Sequence, residues 1–361
     1  MTKFEPRSLS NLAYAFALVG YNPNLPHNTL LEKVADASII CSKRFNEKDV
    51  SNMVWAYATL KILQPKLFQS LGDHSGVFKR VGDYVASDIL NSYKPQEFSS
   101  IVWAFSTAGV QHPDLFDKVG HHTVAMDNLK SFTPQNLENT VWAYATANEL
   151  RPALFEKIAI DVANRQKFLS FNGQDLANIA WAYTVANADA PMLFNDFFTK
   201  TVLERCHGFL DDHLTQLYQW HLWQTKELSH AGLPDNLRDR CLKAFTESNT
   251  TTSCLHMDVV SELKSMNLNS VEEHPTPSGY SIDALVKVDG RIIGIEVDGP
   301  THFINRNPIA TTMLKHRQIT SIDKIPLVSV PYWEWDKLGT DHDKKQQYLQ
   351  VLLGMSDQSK K

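Results

Sequence analysis

The chain has 361 residues, 43% of them hydrophobic and 21% charged, a composition typical of a globular protein with roughly two or three domains. No apolar run reaches the ~18 residues that a membrane-spanning helix needs, so we expect no membrane association. The net charge of −5 and the pI of about 6.3 exclude a basic surface over the whole molecule. Any nucleic-acid site must therefore be a local patch.

The N-terminal residues, Met1 to Ser10, show neither an apolar signal core nor an Arg/Ser-rich amphipathic leader. This is expected either of a protein that is not imported into an organelle or of a sequence from which a leader is missing.

A repeated pattern occupies the first two thirds of the chain. Its central motif resembles Asn-x-x-Trp-Ala-Tyr and occurs at 11–16, 52–57, 100–105, 139–144 and 178–183. The copies lie roughly 40 residues apart, a period typical of two-helix repeats. After the motif comes a proline in most copies, at Pro65, Pro113, Pro152 and Pro191, and a weaker sixth copy begins at Phe209.

Each copy is predicted to form two helices. Caps such as Asn46, Thr133 and Asn172 begin the first helix, and the repeated proline begins the second. One pair does not bury its apolar face alone, so neighbouring pairs are expected to share a core in an α-solenoid over residues 1–246. The additional residues of the second copy, around 72–88, are expected to bulge from one edge.

The concave surface of a solenoid suits an extended ligand such as single-stranded RNA or a peptide. Residues that repeat unchanged do not read a varying sequence, so the recurrent asparagines at 11, 52, 139 and 178 are predicted to form a structural ladder. The central aromatics, Tyr14, Trp55, Trp103, Trp142 and Trp181, are predicted to be core residues first and stacking platforms second. The candidate RNA contacts are Lys48, Gln96, Gln135 and Gln174, because lysine and glutamine hydrogen-bond phosphates and bases. A solvated helix start explains these four residues equally well.

The sequence pattern changes after a polar linker at 247–253. Residues 254–361 are predicted to form a second domain with helices at 254–266, near 312–318 and at 341–353. Alternating apolar residues predict strands at 280–288 and 291–298, joined by the hairpin signal Asp289-Gly290, and a third strand at 325–330. Together these elements form a small α/β layer.

Four motifs in this domain resemble those of a RAP domain: 279–283, 295–303, 314–317 and 329–335. The resemblance covers about residues 254–353 and extends to the FAST-kinase family of mitochondrial RNA-processing proteins. It implies a fold similar to restriction endonucleases. The upstream copies resemble the octotricopeptide or heptatricopeptide repeats that accompany RAP domains in algae, plants and apicomplexans. The resemblance further implies a mitochondrial or plastid protein that binds single-stranded or ribosomal RNA, with ribosomal or other RNA-processing proteins as further partners.

A metal-dependent nuclease requires carboxylates at neighbouring strand ends and a group that activates water. Asp283, Glu296 and Asp298 are the candidate ligands for Mg²⁺ or Mn²⁺, and His302 is a candidate base. The third position of the nuclease pattern is usually lysine, and Asp298 occupies it here. Lys315 is a candidate replacement on the following helix.

Lys315 and Arg317 on that helix are also predicted to contact phosphate, and Trp333 in the cluster Tyr332, Trp333 and Trp335 is predicted to stack on unpaired bases. Three hypotheses remain open at this point. The chain is an RNA-binding protein of organellar gene expression, an endoribonuclease that uses these carboxylates, or a structural component of an organellar ribonucleoprotein such as a ribosome.

Overall fold

The computed structural model describes residues 5–20, 30–41, 44–62, 93–165, 168, 170–247 and 253–355. The chain divides into two compact units, residues 1–208 and residues 209–361. Among the described residues, no helix combines the length and the apolar character that a membrane span requires. The predicted insertion near 72–88 and Pro65 lie outside the described residues.

The N-terminal unit consists of paired helices, as the repeat predicted. The first helices of the pairs are α1 (Pro6–Leu18), α3 (Glu47–Thr59), α4 (Pro95–Thr107), α6 (Pro134–Thr146) and α8 (Gly173–Ala186). The second helices are α2 (Leu30–Cys41), α5 (Pro113–Ala125), α7 (Pro152–Asn164) and α9 (Asp196–Arg205). The first helices pack side by side in chain order, and α1, α4, α6 and α8 each contact the second helix that follows.

The helix starts follow local capping rules. The side chain of Asn46 accepts a hydrogen bond from the amide of Asp49 at 2.8 Å, and Asn172 caps α8 in the same way. Pro113 and Pro152 occupy the first turns of α5 and α7 as predicted. The prediction for Pro191 is wrong: α9 begins at Asp196, where the side chain of Asn195 supplies the cap.

Buried tyrosines join neighbouring pairs. The hydroxyl of Tyr144 on α6 donates to the carbonyl of Phe116 on α5 at 2.5 Å, and Tyr57 and Tyr183 make the equivalent bonds to the helix pairs before them. Most tryptophans of the motif are less buried than predicted. Only Trp181 is buried, whereas Trp55, Trp103 and Trp142 are half-buried, because their positions lie at the edge of the apolar stripe rather than at its centre.

The C-terminal unit combines helices with a small sheet. Its helices are α10 (Asp211–Leu222), α11 (Asp235–Thr246), α12 (Cys254–Ser265), α13 (Ala310–Gln318), α14 (Tyr332–Asp336) and α15 (His342–Leu352). Its strands are β1 (Ser270–Pro275), β2 (Ser281–Val288), β3 (Arg291–Asp298), β4 (Phe303–Ile304), β5 (Asn307–Pro308) and β6 (Leu327–Pro331). The main sheet has the order β1-β2-β3-β6, with β6 parallel to β3, and β4 and β5 form a separate hairpin.

The predicted hairpin between β2 and β3 is present. Asp289 and Gly290 both adopt positive φ angles, 49° and 79°, as a type I′ turn requires. One face of the sheet, which includes Ala284, Ile295 and Val297, forms the apolar core with α12 and α15. Because side chains alternate along a strand, the even-numbered positions of β3 near its end face the opposite side of the sheet.

The helices of the sixth copy belong to the C-terminal unit. The amide of Gln219 on α10 donates to the hydroxyl of Tyr280 at 3.1 Å, and that hydroxyl donates to Gln318 at 2.7 Å. Gln318 returns a hydrogen bond to the carbonyl of Gln219 at 2.9 Å. This buried network ties α10 to α13 and to the start of β2, so the sixth pair packs as part of the sheet-containing unit.

Candidate functional site

Two acidic residues lie buried near the end of β3. Glu296 and Asp298 are 2% and 1% exposed, and Val297 between them lies in the apolar core. They sit at the carboxyl ends of the parallel strands β3 and β6, where Ser329 of β6 donates a hydrogen bond to Asp298. Burial of carboxylates is costly unless a cation, a proton or hydrogen bonds offset the charge.

Lys315 on α13 offsets one of the charges. Its Nζ lies 2.6 Å from Oε2 of Glu296, so a lysine of the helix that follows β3 in the chain contacts this carboxylate. Burial nevertheless raises the pKa of Glu296 to about 8, against the lowering effect of Lys315, and the nearby carboxylates of Asp283 and Asp298 raise it further. Oε1 of Glu296 is buried and has no hydrogen-bond partner among the described residues.

His316, the neighbour of Lys315, completes a group of three potential metal ligands. Ligand atoms of Glu296, Asp298 and His316 all lie within 4.8 Å of one another. Nε2 of His316 is buried without a hydrogen-bond partner in the described part of the chain, and burial lowers the pKa of this imidazole. Two unsatisfied buried ligand atoms in one group fit a divalent cation. The imidazole among the ligands favours Mn²⁺ or Zn²⁺ over Mg²⁺, which prefers oxygen ligands.

The predicted ligand Asp283 has a different environment. Its Oδ2 accepts a hydrogen bond of 2.6 Å from the amide of Val297, just beyond the last paired residues of β2 and β3. Asp283 belongs to a second group of potential ligands with His256 and Glu273. The structure therefore divides the predicted carboxylate triad: Glu296 and Asp298 share one group, and Asp283 lies in the neighbouring one.

His302 lies beside the first group. Its Nδ1 is 3.2 Å from Oδ1 of Asp298 and 3.2 Å from the hydroxyl of Thr312 on α13. The ring is half-buried, so one side of the site remains accessible to solvent. A carboxylate that holds one nitrogen of an imidazole orients the ring for proton transfer at the other nitrogen.

Half-buried aromatic side chains border the same strand ends. The rings of Phe303 and Trp333 lie 4.4 Å apart, and Tyr332 contacts Trp333 at 5.3 Å. Arg306, at the tip of the β4–β5 hairpin, is exposed and lies 5.8 Å from the centre of the Trp333 ring. We call Phe303, Arg306, Tyr332 and Trp333 the aromatic platform. Trp335 belongs instead to the core, where its Nε1 donates to Asp258 at 2.8 Å.

The predicted phosphate contact Arg317 points elsewhere. Its Nε lies 3.2 Å from a carboxylate oxygen of Glu227, just after α10, and its guanidinium is largely buried. Arg317 therefore positions α13, which carries Lys315 and His316. The sequence analysis did not predict His316 as a ligand, although it lies within the motif 314–317, and Arg306 lies outside the four motifs.

The four predicted RNA contacts of the repeat array occupy equivalent positions. Lys48, Gln96, Gln135 and Gln174 are all exposed in the first turns of α3, α4, α6 and α8. Of the recurrent asparagines, Asn178 on α8 donates a hydrogen bond of 2.5 Å to Glu138 on α6, which is not one of the residues of the predicted ladder.

Residues 295–351 match the family model of the RAP domain. The matched segment contains Glu296, Asp298, His302, Lys315, His316 and the aromatic platform, whereas Asp283 lies before it. The resemblance predicted from the sequence motifs is thus confirmed over this segment, and the preceding helices have the paired arrangement that the repeat predicted. The chain therefore carries a RAP domain behind an array of helical repeats.

Proposed function

We propose that the protein is an RNA-binding protein of organellar gene expression that acts on transcripts or ribosomal RNA in a mitochondrion or plastid. The RAP-domain match supports RNA binding in general. The organellar role rests on the resemblance of the motifs to those of RAP-domain proteins. The observation that carries binding of single-stranded RNA is the aromatic platform at the carboxyl ends of β3 and β6, with its exposed arginine.

The platform offers the two kinds of contact that single-stranded RNA needs. Unpaired bases stack on half-exposed rings such as Trp333 and Tyr332, and each such stacking contact is worth ~1–3 kcal/mol. The guanidinium of Arg306 contributes a cation for phosphate. Binding at this site requires no basic surface elsewhere, which agrees with a net charge of −5.

The test measures binding of fluorescein-labelled single-stranded RNA to the full chain by anisotropy. We expect Trp333→Ala to weaken binding roughly tenfold or more, and Arg306→Gln to weaken it while reducing the salt dependence by about one phosphate contact. Arg291→Gln is the matched control, because Arg291 is exposed at the opposite end of β3. Unchanged affinity in both platform variants would refute the site. Crosslinking of the native protein and sequencing of the attached RNA would identify the target.

A second candidate function is a metal-dependent endoribonuclease. The observation in its favour is the group of Glu296, Asp298 and His316, in which Oε1 of Glu296 and Nε2 of His316 are buried without partners. A bound Mn²⁺ would polarise the phosphate and lower the pKa of a coordinated water. His302, held by Asp298, is placed to accept a proton at its free ring nitrogen, and Lys315 holds Glu296 in position.

Mn²⁺ binding to the full chain, followed by electron paramagnetic resonance, tests this candidate. We expect binding that Glu296→Gln and His316→Gln each abolish, while Asp343→Asn, an exposed carboxylate on α15, leaves it unchanged. RNA cleavage by the wild type with Mn²⁺, absent from Glu296→Gln, would establish the nuclease. Absence of Mn²⁺ binding in the wild type would eliminate the metal site.

A further inference from the structure

The first helices of the repeat array present one narrow surface stripe. In each helix the stripe follows positions i, i+4 and i+7, which lie on the same helical face. We call it the amide–aromatic stripe. Its first row is Arg7, Lys48, Gln96, Gln135 and Gln174, its second row is Asn11, Asn52, Ser100, Asn139 and Asn178, and its third row is Tyr14, Trp55, Trp103, Trp142 and Trp181.

Except at the buried Trp181, the stripe consists of residues that the packing leaves exposed or half-buried. In α6, Gln135, Asn139, Trp142 and Thr146 are exposed or half-buried, whereas every other residue after the N-terminal Pro134 is buried. The aromatic row is continuous from α4 to α8, because ring centroids are 6.4 Å apart between Trp103 and Trp142 and 6.3 Å apart between Trp142 and Trp181. At the start of the array, Tyr14 lies 5.0 Å from Trp55.

The stripe carries little positive charge. In α4, α6 and α8 none of its three rows contains a lysine or an arginine, and the half-buried Glu47 and Glu97 lie next to its first row. A nucleic-acid backbone gains most of its affinity from cations that neutralise phosphates. The charge of the stripe therefore complements a neutral polymer better than a polyanion.

The polar atoms of the stripe match a peptide backbone. Side-chain amides of asparagine and glutamine both donate and accept hydrogen bonds, and each residue of a polypeptide backbone offers one donor and one acceptor. The phosphates of a nucleic acid offer acceptors alone, and its donors lie on the bases and, in RNA, on the 2′-hydroxyls. The side chains of Asn52 and Asn139 make no hydrogen bond within the described residues, so they are available for such pairing.

The spacing of the aromatic row between α4 and α8 is close to that of an extended polypeptide. Two residues of a β-strand advance ~6.4–6.8 Å, and their side chains return to the same face. The aromatic row advances 6.4 and 6.3 Å per repeat between α4 and α8. Every second side chain of an extended segment would therefore meet the next repeat in the same way, which explains why the rows need not vary.

We propose that the amide–aromatic stripe binds an extended segment of a partner polypeptide in which every second residue is aliphatic. The aliphatic side chains pack against the tryptophan row, and the partner's backbone hydrogen-bonds with the asparagine and glutamine rows. On this basis Gln96, Gln135 and Gln174 contact a polypeptide rather than RNA. The proposal is independent of RNA binding at the aromatic platform, which uses other residues.

The test uses the full chain and a fluorescein-labelled short peptide that alternates leucine and serine. The double variant Asn52→Ala, Asn139→Ala should weaken peptide binding about tenfold, the loss expected for two hydrogen bonds. Asn164→Ala is the matched control, because Asn164 is exposed on the second helix α7 and should have no effect. Trp142→Leu provides an independent variant that retains apolar packing and should also weaken binding. Circular dichroism confirms that each variant is folded.

Two further probes separate peptide from nucleic acid. The same peptide with N-methylated amides should bind at least tenfold more weakly, since its backbone donors are removed. Labelled oligouridylate should lose no affinity in the double asparagine variant. The proposal is overturned if the alternating peptide does not bind, if N-methylation has no effect, or if oligouridylate competes with the peptide and depends on Asn52 and Asn139.

Discussion

Glu138 is a buried carboxyl directly behind the amide–aromatic stripe, and its replacement by glutamine tests the electrostatics of the array. The residue is 4% exposed in α6, and its Oε1 accepts the hydrogen bond from Asn178. Burial raises its pKa to about 8, and the nearby Asp175 adds to the increase. Glutamine keeps the shape and the acceptor oxygen but has no proton to lose.

The sign of the pH effect follows from where the proton is held. Between the ordinary pKa of 4.5 and the folded value of about 8, the folded chain retains a proton that the unfolded chain releases. The free energy of unfolding therefore falls by about 1.4 kcal/mol for each pH unit across this window. At pH 7 the wild type has lost about 3 kcal/mol relative to its stability below pH 4.5.

In Glu138→Gln the side chain has no proton to release, so the free energy of unfolding does not fall for this reason as the pH rises. We expect the variant to be more stable than the wild type at pH 7, with a gain of up to about 3 kcal/mol that shrinks as the pH falls towards 4.5. Hydrogen exchange of the amides in α6 and α8, measured at several pH values, reports the stability of this part of the array. Glu156→Gln, an exposed glutamate on α7, is the control and should show no such trend. A difference between Glu138→Gln and the wild type that stays constant with pH would refute the reasoning.

Two further substitutions test the packing. Trp142→Ala removes two ring contacts worth ~0.5–1.5 kcal/mol each and should cost ~1–3 kcal/mol in urea denaturation, whereas Trp220→Ala, at a fully buried ring, should cost ~3–5 kcal/mol. Equal losses would mean that Trp142 is as buried as Trp220. Tyr280→Phe leaves Gln219 and Gln318 without a shared hydroxyl and should lower hydrogen-exchange protection in α10 and α13 together by ~1–3 kcal/mol. A loss of hydrogen-exchange protection confined to α10 or to α13 would show that the network does not couple the two helices.

Local patterns were sufficient to predict much of the fold. The capping residues Asn46 and Asn172, the prolines of α5 and α7 and the Asp289-Gly290 turn act over a few residues, so their effect is visible in the sequence itself. The strand β1 was missed, because its exposed and half-buried residues show no apolar alternation. The buried network around Tyr280 was missed as well, since it joins residues far apart in the chain.

The part of the candidate site that could be predicted is the part that follows from the alternation of side chains along a strand. Glu296 and Asp298 share a face because they are two residues apart on β3, and this was predictable. Which third ligand joins them depends on the rotation of α13 against the sheet, and α13 is held by long-range contacts such as the pair of Arg317 and Glu227 and the hydrogen bonds of Gln318. The half-burial of Trp142 was not predictable either, since the apolar period of a helix gives its buried face but not the width of that face.

The charges near the aromatic platform determine how strongly RNA binding should depend on salt. Of the two cations on α13 that were predicted to contact phosphate, Lys315 lies 2.6 Å from Glu296 and Arg317 lies 3.2 Å from Glu227, whereas Arg306 is exposed beside Trp333. RNA binding at this site should therefore depend more on stacking than on phosphate contacts. We expect the affinity of the wild type for labelled single-stranded RNA to fall only weakly with salt, and the affinity of Arg306→Gln to fall less still. A steep salt dependence that persists in Arg306→Gln would mean that other residues make the phosphate contacts.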